Sequence, residues 1–156
     1  MVRLLDKQRE MDLLNDVFEL LWENMQQIVP SDHGYEEEKR QWLANVAPAL
    51  KKDPRQLALI FDGEALVGFC QYYCNGGIFM IEELQLRRGF RAGGYTVTLW
   101  RFLSRCLSAD VRYVEAYADV RNAGSRRLME KVGMELIEKT GDFLHFRGDI
   151  SRIPIF

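Results

Sequence analysis

The stretch Leu84-Gln85-Leu86-Arg87-Arg88-Gly89-Phe90-Arg91-Ala92-Gly93-Gly94-Tyr95-Thr96 constrains the fold more than any other part of the chain. An apolar strand runs into a turn rich in arginine and glycine, and a helix follows at once. Glycine has no Cβ, so such a turn can pass through positive φ and let a ligand lie against bare peptide groups. The first amides of the helix have no partners within it and carry partial positive charge. Together they form a socket for phosphate oxygens, with Arg87, Arg88 and Arg91 adding charge. Two common phosphate loops are excluded. A P-loop needs Lys-Ser or Lys-Thr after its second glycine, where this chain has Gly94-Tyr95. A dinucleotide fingerprint needs Gly-x-Gly-x-x-Gly, and the glycines here fall at 89, 93 and 94. A phosphate-bearing cofactor is the first inference; the plain alternative is an ordinary Gly-rich connection.

Further along, residues 111–118 are β-branched and aromatic and read as a strand. Asn122 then caps a helix on which Ser125, Leu128, Met129 and Val132 share one stripe, and Gly133 stops it.

At this point the chain resembles the GCN5-related N-acetyltransferase (GNAT) superfamily, with some likeness to its ribosomal-protein N-terminal acetyltransferase branch. The cofactor loop of that family reads Gln/Arg-x-x-Gly-x-Gly/Ala; Arg91-Ala92-Gly93-Gly94-Tyr95-Thr96 matches it except at Thr96. A second family motif, Asn-x-x-(Ala/Ser)-x-x-(apolar)-(Tyr/apolar)-x-Lys-x-Gly-(Phe/Met), is met by Asn122, Ser125, Leu128, Met129, Lys131, Gly133 and Met134. The two lie in the family's order, 28 residues apart from Gly94 to Asn122. The likeness covers residues 55–150; the first fifty fit by length and helical pattern.

Bulk properties narrow the function classes. The 156 residues make a single domain with a sizeable core. With 21 basic and 23 acidic residues, nothing draws the chain to nucleic acid or to a membrane. No apolar run reaches the roughly 20 residues that span a bilayer, and the N-terminus turns charged too early for a secretion signal. Cys70, Cys74 and Cys106 are odd in number and lack a second ligand cluster, so they read as buried reduced thiols of a cytoplasmic protein with no metal site.

The periodicities give a short strand at 2–5 and a helix burying Leu14, Val17, Phe18, Leu21 and Met25. A second helix spans 35–50, with Pro48 a point where it can end early. A hairpin pairs 57–61 with 66–72, and a turn at 75–77 leads into a strand at 78–86. A helix over 93–107 buries Leu99, Trp100, Leu103 and Leu107. Strands at 134–139 and 143–148 close the chain. The order β-α-α-β-β-β-α-β-α-β-β predicts an α/β domain with a mixed sheet and helices on both faces, which is also the element order of the acetyltransferase family. The apolar tail 153–156 is expected to dock on the domain or on a second subunit, a homodimer being one option.

The resemblance implies acetyl-CoA as cofactor, CoA as product, and a small-molecule or peptide amine as acceptor. The amides of Arg91, Ala92, Gly93, Gly94, Tyr95 and Thr96 would bind the pyrophosphate. Strand amides at Leu84 and Leu86 would polarise the thioester carbonyl, and Asn122 would hold the loop and cofactor arm or merely cap its helix. Glu82 and Glu83 are candidate general bases. Strand alternation sends them to opposite faces, so one at most meets the cleft; Glu82 is preferred, because the family often has an acid there. The alternative is that both are solvated or paired with Arg87 or Arg88. Many members protonate the leaving thiolate with a tyrosine where this chain has Met129, so Ser125 is the candidate acid, with capping or packing as its plain alternative. His33 and His145 read as a loop and a strand residue, and Trp22, Tyr35 and Trp42 as core or partly buried aromatics and not a substrate cage. A second function stays open: a non-catalytic acyl-CoA-binding or protein-interaction module on the same fold.

Overall fold

The run Leu57-Ala58-Leu59-Ile60-Phe61 is apolar at every position, and the computed structural model, which describes residues 1–52 and 54–153, shows the reason. Leu57, Leu59 and Phe61 join the apolar cluster on one face of a sheet, while Ala58 and Ile60 join the cluster on the other. A strand covered on both faces has no position for a polar side chain.

Among the described residues seven strands form one mixed sheet: β1 Val2–Leu4, β2 Gln56–Asp62, β3 Ala65–Asn75, β4 Ile78–Leu86, β5 Tyr113–Asp119, β6 Glu135–Thr140 and β7 Phe143–Asp149. The helices are α1 Leu14–Met25, α2 Tyr35–Lys52, α3 Tyr95–Cys106 and α4 Ala123–Val132. Strands run in the order β1-β2-β3-β4-β5-β7-β6, and β4 with β5 is the parallel pair. The element order is the expected one, with short 3-10 turns at 11–13, 88–90 and 150–152. Leu14, Val17, Leu20, Val46 and Leu50 carry α1 and α2 onto one face with Phe69 of β3. On the other face, Leu99, Trp100 and Leu103 of α3 pack with Tyr72, Phe79, Val114 and Phe146. No described helix is long and apolar enough to cross a membrane.

Four local expectations are corrected. The buried stripe of α1 is Leu14, Val17, Phe18, Leu20 and Asn24, while Leu21 and Met25 are only partly covered. Phe18 meets Trp22, Tyr35 and Trp42 with ring centroids 6.1, 5.5 and 5.6 Å away. That aromatic group fixes the helix's rotation and turns Asn24 onto the sheet. Helix α2 continues through Pro48 to Lys52. The proline is exposed, as is Ala44 one turn earlier, so the carbonyl deprived of its donor can meet water. Cys74 and Cys106 are only partly buried, though all three cysteines are free.

The fourth correction reaches the site. In the β3–β4 ladder Gln71 pairs with Glu83 and Tyr72 with Ile81, which leaves Glu82 as the extra residue of a bulge. Alternation is broken there. Glu82 and Glu83 therefore lie on the same face, that of α1, and not on opposite ones. Of the tail, Ile153 is buried against Gly148 and Met134; residues 154–156 lie outside the described residues.

Candidate active site

Strands β4 and β5 pair only from Ile78 to Ile81 against Tyr113 to Ala116. Past the bulge at Glu82 they part, and the opening holds a cavity of about 340 Å3. Its walls are Ile81 to Leu84 on one strand, Ala116 to Asp119 on the other, and the stripe Ser125, Leu128, Met129 and Val132 of α4, with Met25 and Val29 from α1 and the segment after it. A second cavity of about 230 Å3 runs on from it past Leu84, Asn122, Ser125 and Leu128 to Leu86, Arg91 and Thr96. The two make one groove from the turn before α3 to the point where the strands separate.

The turn has the features that favour an anionic ligand. Gly94 caps α3 at φ 76°, a left-handed conformation that a residue with a Cβ adopts only under strain. A Cβ on Gly93 would lie 2.8 Å from the Tyr95 ring. Among the described residues the backbone N–H groups of Ala92, Gly94, Tyr95 and Thr96 have no acceptor. Those of Arg91 and Gly93 reach the Arg88 and Phe90 carbonyls at 3.4 and 3.3 Å. Arg91 donates from Nε to the Leu86 carbonyl at 3.2 Å, and its terminal nitrogens have no hydrogen-bond partner among the described residues. Arg87 is committed to Glu23 at 2.6 Å and to the Leu66 carbonyl, so it does not join the socket.

Gap-facing donors on β4 follow from register. Arg87 N donates to Val67 O at 2.8 Å, so by antiparallel alternation Gln85 also turns its amide to β3, and Leu84 and Leu86 turn theirs to the gap. The groove thus offers unpartnered strand amides along one wall and helix amides at its outer end. An extended ligand with a diphosphate at one end and an amide-bearing arm at the other fits this donor set.

Helix α4 begins as its motif predicts. Asn122 Oδ1 accepts from the Ser125 backbone N–H at 3.0 Å, a cap worth about 1 kcal/mol, and Gly133 ends the helix at φ 97°. Ser125 Oγ makes no hydrogen bond among the described residues and lines both cavities. Met129 lines the wider one.

The two glutamates sit side by side in different surroundings. Glu82 is gripped by Arg55, through Nε and through Nη2 at 2.6 Å, and accepts from Gln71 at 2.9 Å. Glu83 has no cation partner among the described residues. Burial of its carboxyl pushes its pKa up to about 7 against the pull of a hydrogen bond from Gln85 Nε2 at 2.6 Å. The residue as a whole is partly exposed, but the crowding at the carboxyl sets its proton affinity. Across the gap Asp119 is held at about pKa 2 by Arg121. Among the described residues the groove therefore contains one carboxylate without a cation partner, and burial pushes its pKa towards neutrality.

His33 is exposed in the segment before α2. His145 meets Glu115 at 2.9 Å and stacks on Tyr117 with centroids 4.2 Å apart. Sequence reasoning missed Asn24, Gln85 and Arg55. A polar residue on the buried stripe of α1, seven positions from Val17, is the signal that could have found Asn24.

A family profile described as "Acetyltransferase (GNAT) domain" matches residues 4–135. Among curated protein sequences, none matches the chain. Solved structures are similar in fold. PaiA N-acetyltransferase from Thermoplasma acidophilum, in complex with coenzyme A, is 13% identical with a TM-score of 0.75 over 96% of this chain and 98% of that one. An acetyltransferase from Thermus thermophilus is 19% identical with a TM-score of 0.73, over 96% and 97%. Ribosomal-protein-alanine N-acetyltransferase from Brucella melitensis is 16% identical with a TM-score of 0.66, over 96% and 99%. With the profile covering most of its length, the chain belongs to the GNAT acetyltransferase family and is an acetyl-CoA-dependent acyltransferase.

Proposed function

We propose that the protein, as one domain over residues 1–156, moves an acetyl group directly from acetyl-CoA to a primary amine of a small molecule or peptide. The observation that carries this reading is Glu83, a carboxylate with no cation partner among the described residues, at the separation of β4 and β5 and at the far end of a groove that starts on helix amides likewise without a described acceptor.

The amides of Ala92, Gly94, Tyr95 and Thr96, with Gly93 leaving room and Arg91 adding charge, hold the diphosphate. Asn122 keeps the start of α4 in register beside it. The gap-facing amides of Leu84 and Leu86 are the donors for the arm and the carbonyl, and acetyl-CoA supplies the activated thioester. Glu83 takes the proton of the incoming ammonium, because a base with a pKa near 7 is half ionised at neutral pH and still holds a proton well. Glu82, locked to Arg55 and Gln71, orders the wall beside it, so the geometry moves the preference for the base from Glu82 to Glu83. Ser125 Oγ–H is the proton source for the departing sulfur, since Met129 has no proton to give. Three free cysteines support a reducing, cytoplasmic setting.

Two measurements test the reading. Calorimetry with acetyl-CoA and desulfo-CoA should give micromolar binding that Arg91→Ala weakens. Release of CoA over a panel of polyamines, amino acids, aminoglycosides and peptide N-termini should fall at least a hundredfold in Glu83→Gln. Turnover undiminished in Glu83→Gln would remove the base from the reading. A second reading, a non-catalytic acyl-CoA-binding or protein-interaction module, is favoured by Met129 alone, and CoA binding without turnover on any amine would select it.

A further inference from the structure

Glu83 is the end of a hydrogen-bond chain that starts at the phosphate socket and has a fixed direction. Arg91 Nε and Asn24 Nδ2 both donate to the Leu86 carbonyl, at 3.2 and 3.0 Å. Asn24 Nδ2 also donates to Gln85 Oε1 at 2.9 Å. Gln85 Nε2 in turn donates to Glu83 Oε1 at 2.6 Å and approaches Met25 Sδ at 3.5 Å. Asn24 and Gln85 are each only 6% exposed, on α1 and β4 respectively.

The logic of the chain is set at its carbonyl end. A backbone carbonyl can only accept, so Asn24 must present its nitrogen to Leu86. That nitrogen has two protons, and the second goes to Gln85, which must then present its oxygen to Asn24. The Gln85 nitrogen is left facing Glu83. A side-chain amide free to turn over would show Glu83 either a donor or an acceptor, and an acceptor can be satisfied only if the carboxyl keeps its proton. Glu83 Oε2 has no partner among the described residues, so it is the oxygen left for an incoming amine.

We propose that Asn24 and Gln85 are positioning residues: they lock the amide direction so that Glu83 always meets a donor on Oε1 and presents Oε2 to the acceptor amine. The proposal rests on the reading of Glu83 as the base. Other charged groups around Glu83 are already committed. Glu82 is held by Arg55, Asp119 across the gap by Arg121, and Glu23 on α1 by Arg87. Tyr117 faces the cavity from β5, and Cys70 lies on β3 behind the strand. The cavity-lining residues of α4, Ser125, Leu128, Met129 and Val132, do not titrate near neutral pH. Of these groups none donates a hydrogen bond to Glu83; among the described residues Gln85 alone does.

The test is a carbon-13 titration of the glutamate carboxyl carbons in the full chain, with the Glu83 signal assigned by its loss in Glu83→Gln. In the wild type the carboxyl should titrate at about 7, and the side-chain amide protons of Gln85 should shift with the same midpoint. In Asn24→Leu the new side chain cannot donate to Gln85 and adds no charge. The glutamine then turns over, and the Glu83 midpoint should rise by at least one unit, a tenfold gain in proton affinity. Gln85→Leu removes the donor and should also raise it. A purely structural role for the pair would lower thermal stability and leave the midpoint where it was. Unmoved midpoints in both variants overturn the proposal. Should neither variant fold, Gln85 amide protons that ignore the Glu83 titration in the wild type overturn it as well. The parent reading fails separately: shifted midpoints with full turnover in Glu83→Gln would keep the relay and remove the base.

Discussion

Gly68 of β3 lies opposite Leu86 of β4, and a Cβ built on it would stand 2.5 Å from Leu86 Cδ2 and 2.7 Å from the Gln85 carbonyl oxygen. The backbone of β4 at the groove is thus pressed onto a position that only glycine can fill. Gly68→Ala should cost about 1–3 kcal/mol, the range for overpacked cores, because one of the two obstacles is backbone and cannot swing aside. Thermal unfolding would show a drop of several degrees, and CoA affinity should fall with it, since Leu86 carries a gap-facing amide. An unchanged melting temperature would contradict the packing.

The proton affinity of Glu83 makes stability depend on pH. A carboxyl whose folded pKa is raised from 4.5 to about 7 favours the folded state fully below the unfolded value. That contribution is lost as pH rises through 7. Glu83→Gln keeps an acceptor for Gln85 and removes the charge. It should match the wild type in stability near pH 4 and exceed it above pH 8, by an amount on the order of 2–3 kcal/mol. Melting curves across that range check the sign. A variant less stable at pH 8 would show that the carboxylate is well solvated.

Glu115 behaves in the opposite way. It is buried, which raises its pKa, but hydrogen bonds from Arg147 Nε at 2.6 Å and with His145 at 2.9 Å outweigh burial and lower it. A depressed folded pKa contributes stability above the unfolded value and loses it as pH falls through the folded one. Glu115→Gln should therefore destabilise the protein at pH 7 by about 1–3 kcal/mol, less than a fully buried pair because Arg147 reaches solvent. The difference should shrink below pH 4, which a pH series of melts would record.

At the socket, Gly94→Ala places a Cβ at φ 76° with nothing within 4 Å to clash against. The cost is backbone strain alone, roughly 1–2 kcal/mol. A larger side chain, as in Gly94→Val, should add a loss of CoA affinity of tenfold or more, because it projects among the amides proposed to receive the diphosphate. Calorimetry separates the two effects from the melt. Equal affinity in both variants would move the socket elsewhere.

Met129→Tyr tests whether the leaving sulfur waits for a proton. Met129 lines the groove beside Ser125, so a tyrosine there brings a hydroxyl into the same space. Turnover should rise severalfold in the variant and should no longer depend on Ser125 in Met129→Tyr/Ser125→Ala. A pre-steady-state burst of acetylated amine followed by unchanged CoA release would instead point to product departure as the slow step.

Most of the architecture was legible because its signals are short-range. The alternation of 66–72, the stripe Ser125 to Val132 and the stop at Gly133 each depend on residues a few positions apart. β4 spans Ile78–Leu86 as the pattern predicts, and Asn122 caps α4. Of the proposed site, only the glycine turn and the Asn122 cap at its outer end could be traced in the sequence. Glu82 and Glu83 were sorted by parity, and parity holds only while a ladder stays in register; the bulge opposite Gln71 and Tyr72 ended that. Likewise the second half of the α1 stripe was read one step off, with Leu20 and Asn24 buried in place of Leu21 and Met25, because Phe18 and its aromatic neighbours from α2 set the rotation of the helix.

The amino-acid order by itself determined the socket and the two helices that border it. Glycine conformation, helix caps and period are properties of neighbouring residues, and Arg91, Gly94 and Asn122 declare them locally. Tertiary structure decided which carboxylate is raised towards neutrality and what holds it. Asn24 and Gln85 are 61 positions apart, and Arg55 meets Glu82 across 27. Desolvation and hydrogen-bond direction at Glu83 exist only once those distant segments are packed against the parted strands.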